Sequence, residues 1–345
     1  MKIGICGDIH LSRYSSILMS RGKNFSTRLE GMIKSIAWVE QLFKEHGCQE
    51  EIFLGDTFDR PDLLAEEISA VSEIEWNTSS RIKHFIVGNH ESGVSSLVYN
   101  STQILHKLGA IEDTPYIYPV DDKTEILFLP YITEDNRKPL SEYLKDRNQN
   151  KKLVICSHND IKDFQMGKFI SKTGFSVEEI EANCDLYLNG HLHNCGQVSD
   201  KIINIGVLTG QNFNEDAFKY EHHVAILDTD TMKLEFFENP YAFNFYKIEI
   251  TSENQLSMLK NLKDNAVVSI KCSETYKDAL KETISDTKQI IAYKIIYSRD
   301  LSAVETDSEV TLTMSDDHLE QFKTYIIETL GNSDIVREEL SEVCK

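Results

Sequence analysis

The chain has 345 residues, 41% of them hydrophobic and 27% charged: enough for a sizeable core, in two domains or one large domain with an appendage. A net charge of −20 excludes a generally basic nucleic-acid platform but not a local groove or a site that holds cations. The apolar runs are short and broken by charge, so no membrane span or signal peptide is expected and a cytoplasmic location is.

The first element in chain order is a strand over residues 2–6 that stops at Gly7. Asp8 and His10 follow it, two residues apart, where a strand end throws both side chains off one edge; alone, such a pair equally marks a turn. Residues 27–46 place Leu29, Met32, Ile36, Val39 and Phe43 at helical spacing. A strand over 51–54 precedes Gly55, a helix lies near 63–78, and a strand over 83–87 precedes Gly88. Further strands are expected at 126–129, 153–156, 186–188, 202–205, 224–227 and 234–237, with few helices between them after about residue 185. The pattern predicts a mixed α/β fold with a layered sheet whose strand ends carry the turns.

A break falls at Asn239-Pro240. Beyond it, strands at 245–250, 266–271 and 290–297 alternate with helices at 254–262 and 276–285, a small α/β unit. Residues 302–315 read as an acidic linker, and 316–330 as an amphipathic helix with Leu319, Phe322, Ile326 and Ile327 on one face. Segment 301–345 carries eleven acidic against three basic residues. The expected division is 1–240 for the main domain, 241–300 for a small α/β cap, and 301–345 for the linker and terminal helix. The seven cysteines are scattered without a Cys-x-x-Cys pair and read as reduced thiols.

The glycine turns share a chemistry. "CGDIH" offers Asp8 and His10; "FLGDTFDR" offers Asp56, Asp59 and Arg60; "IVGNHES" offers Asn89, His90 and Glu91; "VICSHND" offers His158; "YLNGHLH" offers His191 and His193. Each follows an apolar run, so five strand ends are expected to meet at one edge of a sheet, where open α/β folds place their sites. Two carboxylates, an amide oxygen and four imidazoles suit manganese, iron or zinc better than calcium. Seven donors exceed one tetrahedral zinc and suit two ions ~3.5–4 Å apart that share a carboxylate and a solvent oxygen.

The set Asp8-x-His10, Gly55-Asp56, Gly88-Asn89-His90, His158 and Gly190-His191-x-His193 resembles the calcineurin-like metallophosphoesterase superfamily over about residues 1–240. The resemblance implies a β-sandwich flanked by helices and a dinuclear metal site. By that carry-over, Asp8, His10, Asp56 and His193 hold one ion; Asp56, Asn89, His158 and His191 hold the other, with Asp56 bridging. Such a pair acidifies a shared water, and His90 is then the candidate general acid for the leaving oxygen. Asp59 is a candidate for orienting a neighbouring group. Arg60 is a candidate phosphate contact or a surface ion pair. Arg13, Arg21, Lys23 and Arg28, just past the first turn, are candidates for tracking a DNA backbone or a solvated helix start.

The order of core, small α/β cap, acidic linker and terminal helix is similar to SbcD-type nuclease subunits of bacteria and phages. That resemblance implies a manganese-dependent DNA nuclease acting in repair and recombination, a homodimer, and docking on an SbcC-type coiled-coil ATPase. Leu319, Phe322, Ile326 and Ile327 would form the docking face, and the host cytoplasm would be the location of a phage-encoded member. No Walker A pattern is present, so any ATP chemistry belongs to a partner. The phosphoprotein phosphatases of the superfamily are the runner-up, disfavoured by Leu11 after His10 and Pro61 after Arg60. A small-molecule phosphodiesterase is a further alternative.

Overall fold

The computed structural model describes residues 1–13, 24–74, 76, 82–93, 99–166 and 169–298. The expected tail helix, with Leu319, Phe322, Ile326 and Ile327, lies outside the described residues, as do Arg21 and Lys23. The elements of the core are β1 (Lys2–Cys6), α1 (Thr27–Glu45), β2 (Glu50–Phe53), α2 (Ala65–Glu73), β3 (Ile82–Ile86), β4 (Ala110–Glu112), β5 (Tyr116–Pro119), β6 (Thr124–Leu129), α3 (Leu140–Tyr143) and β7 (Lys152–Ser157). There follow a small hairpin, β8 (Gln165–Met166) and β9 (Phe169–Ile170), then α4 (Val177–Asn183), β10 (Leu186–Asn189), β11 (Gly196–Gln197), β12 (Ile202–Asn204), β13 (His223–Asp228) and β14 (Lys233–Glu238). The last part holds β15 (Asn244–Ile250), β16 (Ala266–Ser273), α5 (Lys277–Asp286) and β17 (Ile290–Ser298).

Two six-stranded sheets form a sandwich, one in the order β14-β13-β1-β2-β3-β4 and the other β11-β12-β10-β7-β6-β5. Their central strands run parallel, β1 to β4 in the first and β6, β7, β10 and β12 in the second. Both faces of these strands are covered, which is why they read as short continuous apolar runs. Alternation sorts the side chains. Ile3 and Ile5 of β1 face inward and meet Ile126, Phe128, Val154 and Leu188 of the second sheet. Gly4 and Cys6 face outward, and the ring of Phe43 from α1 lies over Gly4, where an added Cβ would sit 2.4 Å from it. α1 and α2 cover the outer face of the first sheet, and α3 and α4 that of the second. α1 starts where expected because the Ser26 hydroxyl accepts from the Leu29 N–H. The architecture is a β-sandwich flanked by helices, as the resemblance implies.

The last strands build a third, parallel sheet, β15-β16-β17, with its own apolar cluster around Tyr246, Leu259, Val268 and Leu280. The segment expected as a helix at 254–262 is a 3-10 helix, Glu253–Asn261. Its buried residues Leu256 and Leu259, followed by Leu262, recur every three positions, the period of a 3-10 turn rather than 3.6. Residues Met1–Arg299 group into one compact unit, and near residue 240 the chain passes from β14 of the first sheet to β15 of the third. Among the described residues no helix is long and apolar enough to cross a membrane.

Candidate metal centre

The donors come from two sheets, which corrects the expectation of a single sheet edge. β1, β2 and β3 of the first sheet lead to Asp8 and His10, to Asp56, and to Asn89 and His90. β7 and β10 of the second lead to His158 and to His191 and His193. Parallel strands end on the same side, so the loops meet across the top of the sandwich. The backbone is bent to aim them: His10, Asp56 and His191 have φ of 51°, 45° and 71°, left-handed values that non-glycine residues rarely adopt. The N–H groups of Ile9 and His10 both donate to the Asp56 carbonyl, at 3.0 and 2.8 Å, locking the first two turns together. Gly88 makes room: a Cβ there would lie 2.1 Å from Asp56 Oδ1.

Seven donors converge. His10 Nε2 lies 3.1 Å from His193 Nε2 and 3.9 Å from Asp8 Oδ2. Asn89 Oδ1 lies 3.0 Å from His158 Nε2 and 2.9 Å from His191 Nδ1. Asp56 Oδ2 stands between the two groups, 3.7 Å from His10 Nε2 and 3.2 Å from His158 Nε2. Two of the His/carboxylate groupings with ligand atoms close enough for one ion are Asp8–His10–His193 and Asp56–His158–His191. A third, His10–Asp56–His90, includes the candidate general acid.

The residues fit a pair of cations. Asp8 Oδ2 is buried with no hydrogen-bond partner, while Oδ1 accepts from the His191 N–H at 2.9 Å. Each imidazole turns one nitrogen inward and the other to an outer partner. His158 Nδ1 donates to the Leu54 carbonyl at 2.7 Å, and His193 Nδ1 to Glu215 at 2.7 Å. His10 Nδ1 lies 3.2 Å from Asp59 Oδ1, and His191 Nε2 lies 3.3 Å from Asp160 Oδ1. Such outer contacts fix the tautomer and leave an inward lone pair for a metal.

The electrostatics agree. Burial opposes ionisation of Asp56, but His158, His10 and His90 outweigh it and hold its carboxyl well below the usual range. Burial likewise opposes the charge on His158, yet Asp56 and Asp8 push it up to about 9. The carboxylates thus draw positive charge into a closed space, and bound divalent ions would supply it there instead of protons.

His90 sits at the rim with 41% of its side chain exposed. Its N–H donates to Asp56 Oδ1 at 3.0 Å and its Nδ1 to the Asp59 carbonyl at 3.1 Å, which leaves Nε2 free to face a substrate. The Asp59 carboxylate, 3.5 Å from the same Nδ1, pushes its pKa up to about 9, against burial. Glu91 is fully buried and braces loops, accepting from the N–H groups of Phe58 and Gly88 at 3.1 and 2.8 Å. Burial, then the charge on Asp56, pushes its carboxyl up to about 7.

The family model for calcineurin-like phosphoesterases matches residues 1–195, more than half of the chain. The chain belongs to the calcineurin-like phosphoesterase family. Its members are metal-dependent phosphoester hydrolases with a dinuclear centre, and this phosphoesterase carries candidate ligands for both ions. Among solved structures it is similar to an archaeal phosphodiesterase at 15% identity, TM-score 0.36, over 69% of this chain and 99% of the other. It is also similar to a dimetal phosphatase from Danio rerio at 14% identity, TM-score 0.42, over 66% and 91%. A protein of Thermus thermophilus aligns at 10% identity, TM-score 0.38, over 69% and 98%. No curated protein matches the sequence.

The basic candidates behave differently from one another. Arg60 pairs with buried Glu67 and donates to the Asp62 carbonyl at 2.9 Å. Arg13 lies 3.2 Å from Glu66. Arg28, expected to face solvent or DNA, is 1% exposed, which corrects that expectation. Its guanidinium turns inward to the Gly210 carbonyl, at 3.2 Å, and to the Gln211 side chain. At the start of α1 Arg28 and Leu29 are buried while Ser26, Thr27 and Glu30 stay partly exposed, so it is Arg28 itself that turns into the core. Glu215 and Asp160, the carboxylates behind His193 and His191, were missed by sequence reasoning. Asp160 is present in the sequence only as the last residue of the "VICSHND" turn; Glu215 lies 22 residues past His193 in a loop with no motif.

Proposed function

We propose that this phosphoesterase is a two-metal DNA nuclease subunit of the SbcD type, most active with manganese. It would cut DNA phosphodiester bonds in repair and recombination, as a homodimer docked on an SbcC-type coiled-coil ATPase. What supports the reading is the seven-donor set together with a further parallel sheet, β15-β16-β17, after the sandwich in chain order, the arrangement that an SbcD-type cap would need. A bound cation pair supplies an acidified water and neutralises the phosphate oxygens. The chain holds that centre with Asp8, His10, Asp56, Asn89, His158, His191 and His193. His90 Nε2, at the exposed rim, donates the proton that the leaving sugar oxygen takes up, and Asp59 keeps the ring turned outward. Arg13 and Arg60, tied to α2 carboxylates, would reach phosphate only by exchanging partners. Leu319, Phe322, Ile326 and Ile327 would be the docking stripe.

The test is cleavage of labelled linear duplex and single-stranded DNA with Mn²⁺, with Asp56→Asn and His193→Ala as controls. Cutting above both controls supports the nuclease. No cutting, with turnover of a phosphoprotein or a small diester, assigns the chain to the phosphatase or small-molecule phosphodiesterase branch.

A further inference from the structure

The donors separate into two sets when the groups behind them are followed. His158 and His191 rest on the Leu54 carbonyl and on Asp160. His193 rests on Glu215, which is 4% exposed and lies on the loop between β12 and β13. One carboxylate oxygen of Glu215 meets His193 Nδ1 at 2.7 Å, and the other accepts from the Gln211 N–H at 2.6 Å. The Gln211 amide then donates from Nε2 to the carbonyl of Ile9, at 3.3 Å. Ile9 is the residue between Asp8 and His10, so one loop touches the backbone or side chain behind three donors of the same set. Gln211 Oε1 accepts in turn from Arg28, whose other terminal nitrogen donates to Gly210 at 3.2 Å. Residues 210 and 217 of that loop are pinned from the far side, each N–H donating at 3.0 Å to a carbonyl of Phe243 or Phe245 at the start of the third sheet.

We propose that Glu215 is a positioning residue for one ion of the pair, held in place by a buried Arg28–Gln211 relay and acting through His193. The inference rests on the two-ion reading of the centre. A carboxylate that accepts from Nδ1–H keeps the proton on that nitrogen, so the His193 lone pair stays on Nε2, facing His10. The Gln211 bond to Ile9 fixes the Asp8–His10 turn at the same time. Arg28 supplies the buried positive charge that balances Glu215 across Gln211, so the loop brings the carboxylate in without adding an uncompensated anion. In the set Asp56, Asn89, His158 and His191 neither imidazole meets this loop: the Leu54 carbonyl stands behind His158 and Asp160 behind His191.

The consequence is selective. Removing a carboxylate of this kind lowers metal affinity ~10–100-fold. Glu215→Ala is expected to weaken one of two Mn²⁺ ions by that factor and leave the other unchanged, with Asp160→Ala weakening the opposite one. Glu215→Gln keeps an oxygen acceptor for Nδ1–H and is expected to recover most of the lost affinity. The full chain is titrated with Mn²⁺ by calorimetry and by electron paramagnetic resonance, which separates a single ion from a spin-coupled pair. The expected result is a coupled signal for the unaltered chain and a single-ion signal for Glu215→Ala at one to two equivalents. Two ions bound with wild-type affinity by Glu215→Ala would overturn the relay while the dinuclear reading stands; fewer than two ions in the unaltered chain would overturn both. Equal loss of both ions from a folded Glu215→Gln would also overturn it, and this milder variant decides the case if Glu215→Ala does not fold.

Discussion

His90→Gln separates proton donation from metal binding. The side chain is 41% exposed, and its Nδ1 meets the Asp59 carbonyl at 3.1 Å and the Asp59 carboxylate at 3.5 Å, so its loss should change stability by about 1 kcal/mol. The N–H that holds Asp56 belongs to the backbone and survives the substitution. The seven donors and both ions should therefore remain. A missing general acid costs ~10²–10⁴-fold, which is ~2.7–5.4 kcal/mol of transition-state free energy. That loss applies only where the leaving oxygen needs a proton. A diester with an alkoxide leaving group should lose the full factor in kcat/KM. One that releases p-nitrophenolate, stable as the anion, should lose less than about tenfold. Mn²⁺ content and urea unfolding are measured on the same preparations. Equal loss for both leaving groups, or loss of an ion, would refute the assignment and make His90 a ligand, as the His10–Asp56–His90 grouping permits.

Gly88→Ala should displace the bridging Asp56, because the new Cβ falls 2.1 Å from Oδ1 and 2.6 Å from its backbone nitrogen; metal titration should show both ions weakened and urea unfolding a loss of ~1–3 kcal/mol. Lys83→Met should be far more damaging than its distance from the site suggests. Its buried ammonium reaches Glu40 at 2.6 Å and also pairs with Glu51, so its removal should cost ~3–5 kcal/mol, partly recovered by adding Glu51→Gln. His222 is buried with Nδ1 3.1 Å from the Val207 carbonyl, and burial lowers its pKa. The unfolded chain then binds the proton more readily, so the contribution of this residue is present above its ordinary pKa of about 6.5 and lost as pH falls below it, at up to ~1.4 kcal/mol per pH unit. His222→Gln should lose less stability than the unaltered chain between pH 7 and pH 5; parallel profiles would refute this. Chelation should lower the unfolding temperature, since ions at a hundred times their Kd add ~2.7 kcal/mol each, and Mn²⁺ should restore it where Ca²⁺ does not.

The sequence alone marked the candidate donors that the fold brings together, and most of the strands that deliver them. A ligand loop needs a buried strand to end, a glycine where another group passes close, and a carboxylate or imidazole next in line, and all three are local in the chain. The helix at Thr27–Glu45 was legible for the same reason, as its apolar stripe repeats within a few turns. The division of the donors between two sheets was not legible, because strand order is set by packing between segments more than a hundred residues apart. Arg28 shows the limit most plainly: at a helix start among other basic residues it looked solvated, and only the meeting of α1 with the loop at 210–215 buries it. Glu215 and Asp160 belong to that same class. A ligand is marked by its own loop, whereas the residue that aims the ligand is marked only by where another part of the chain folds back, and that is decided in three dimensions.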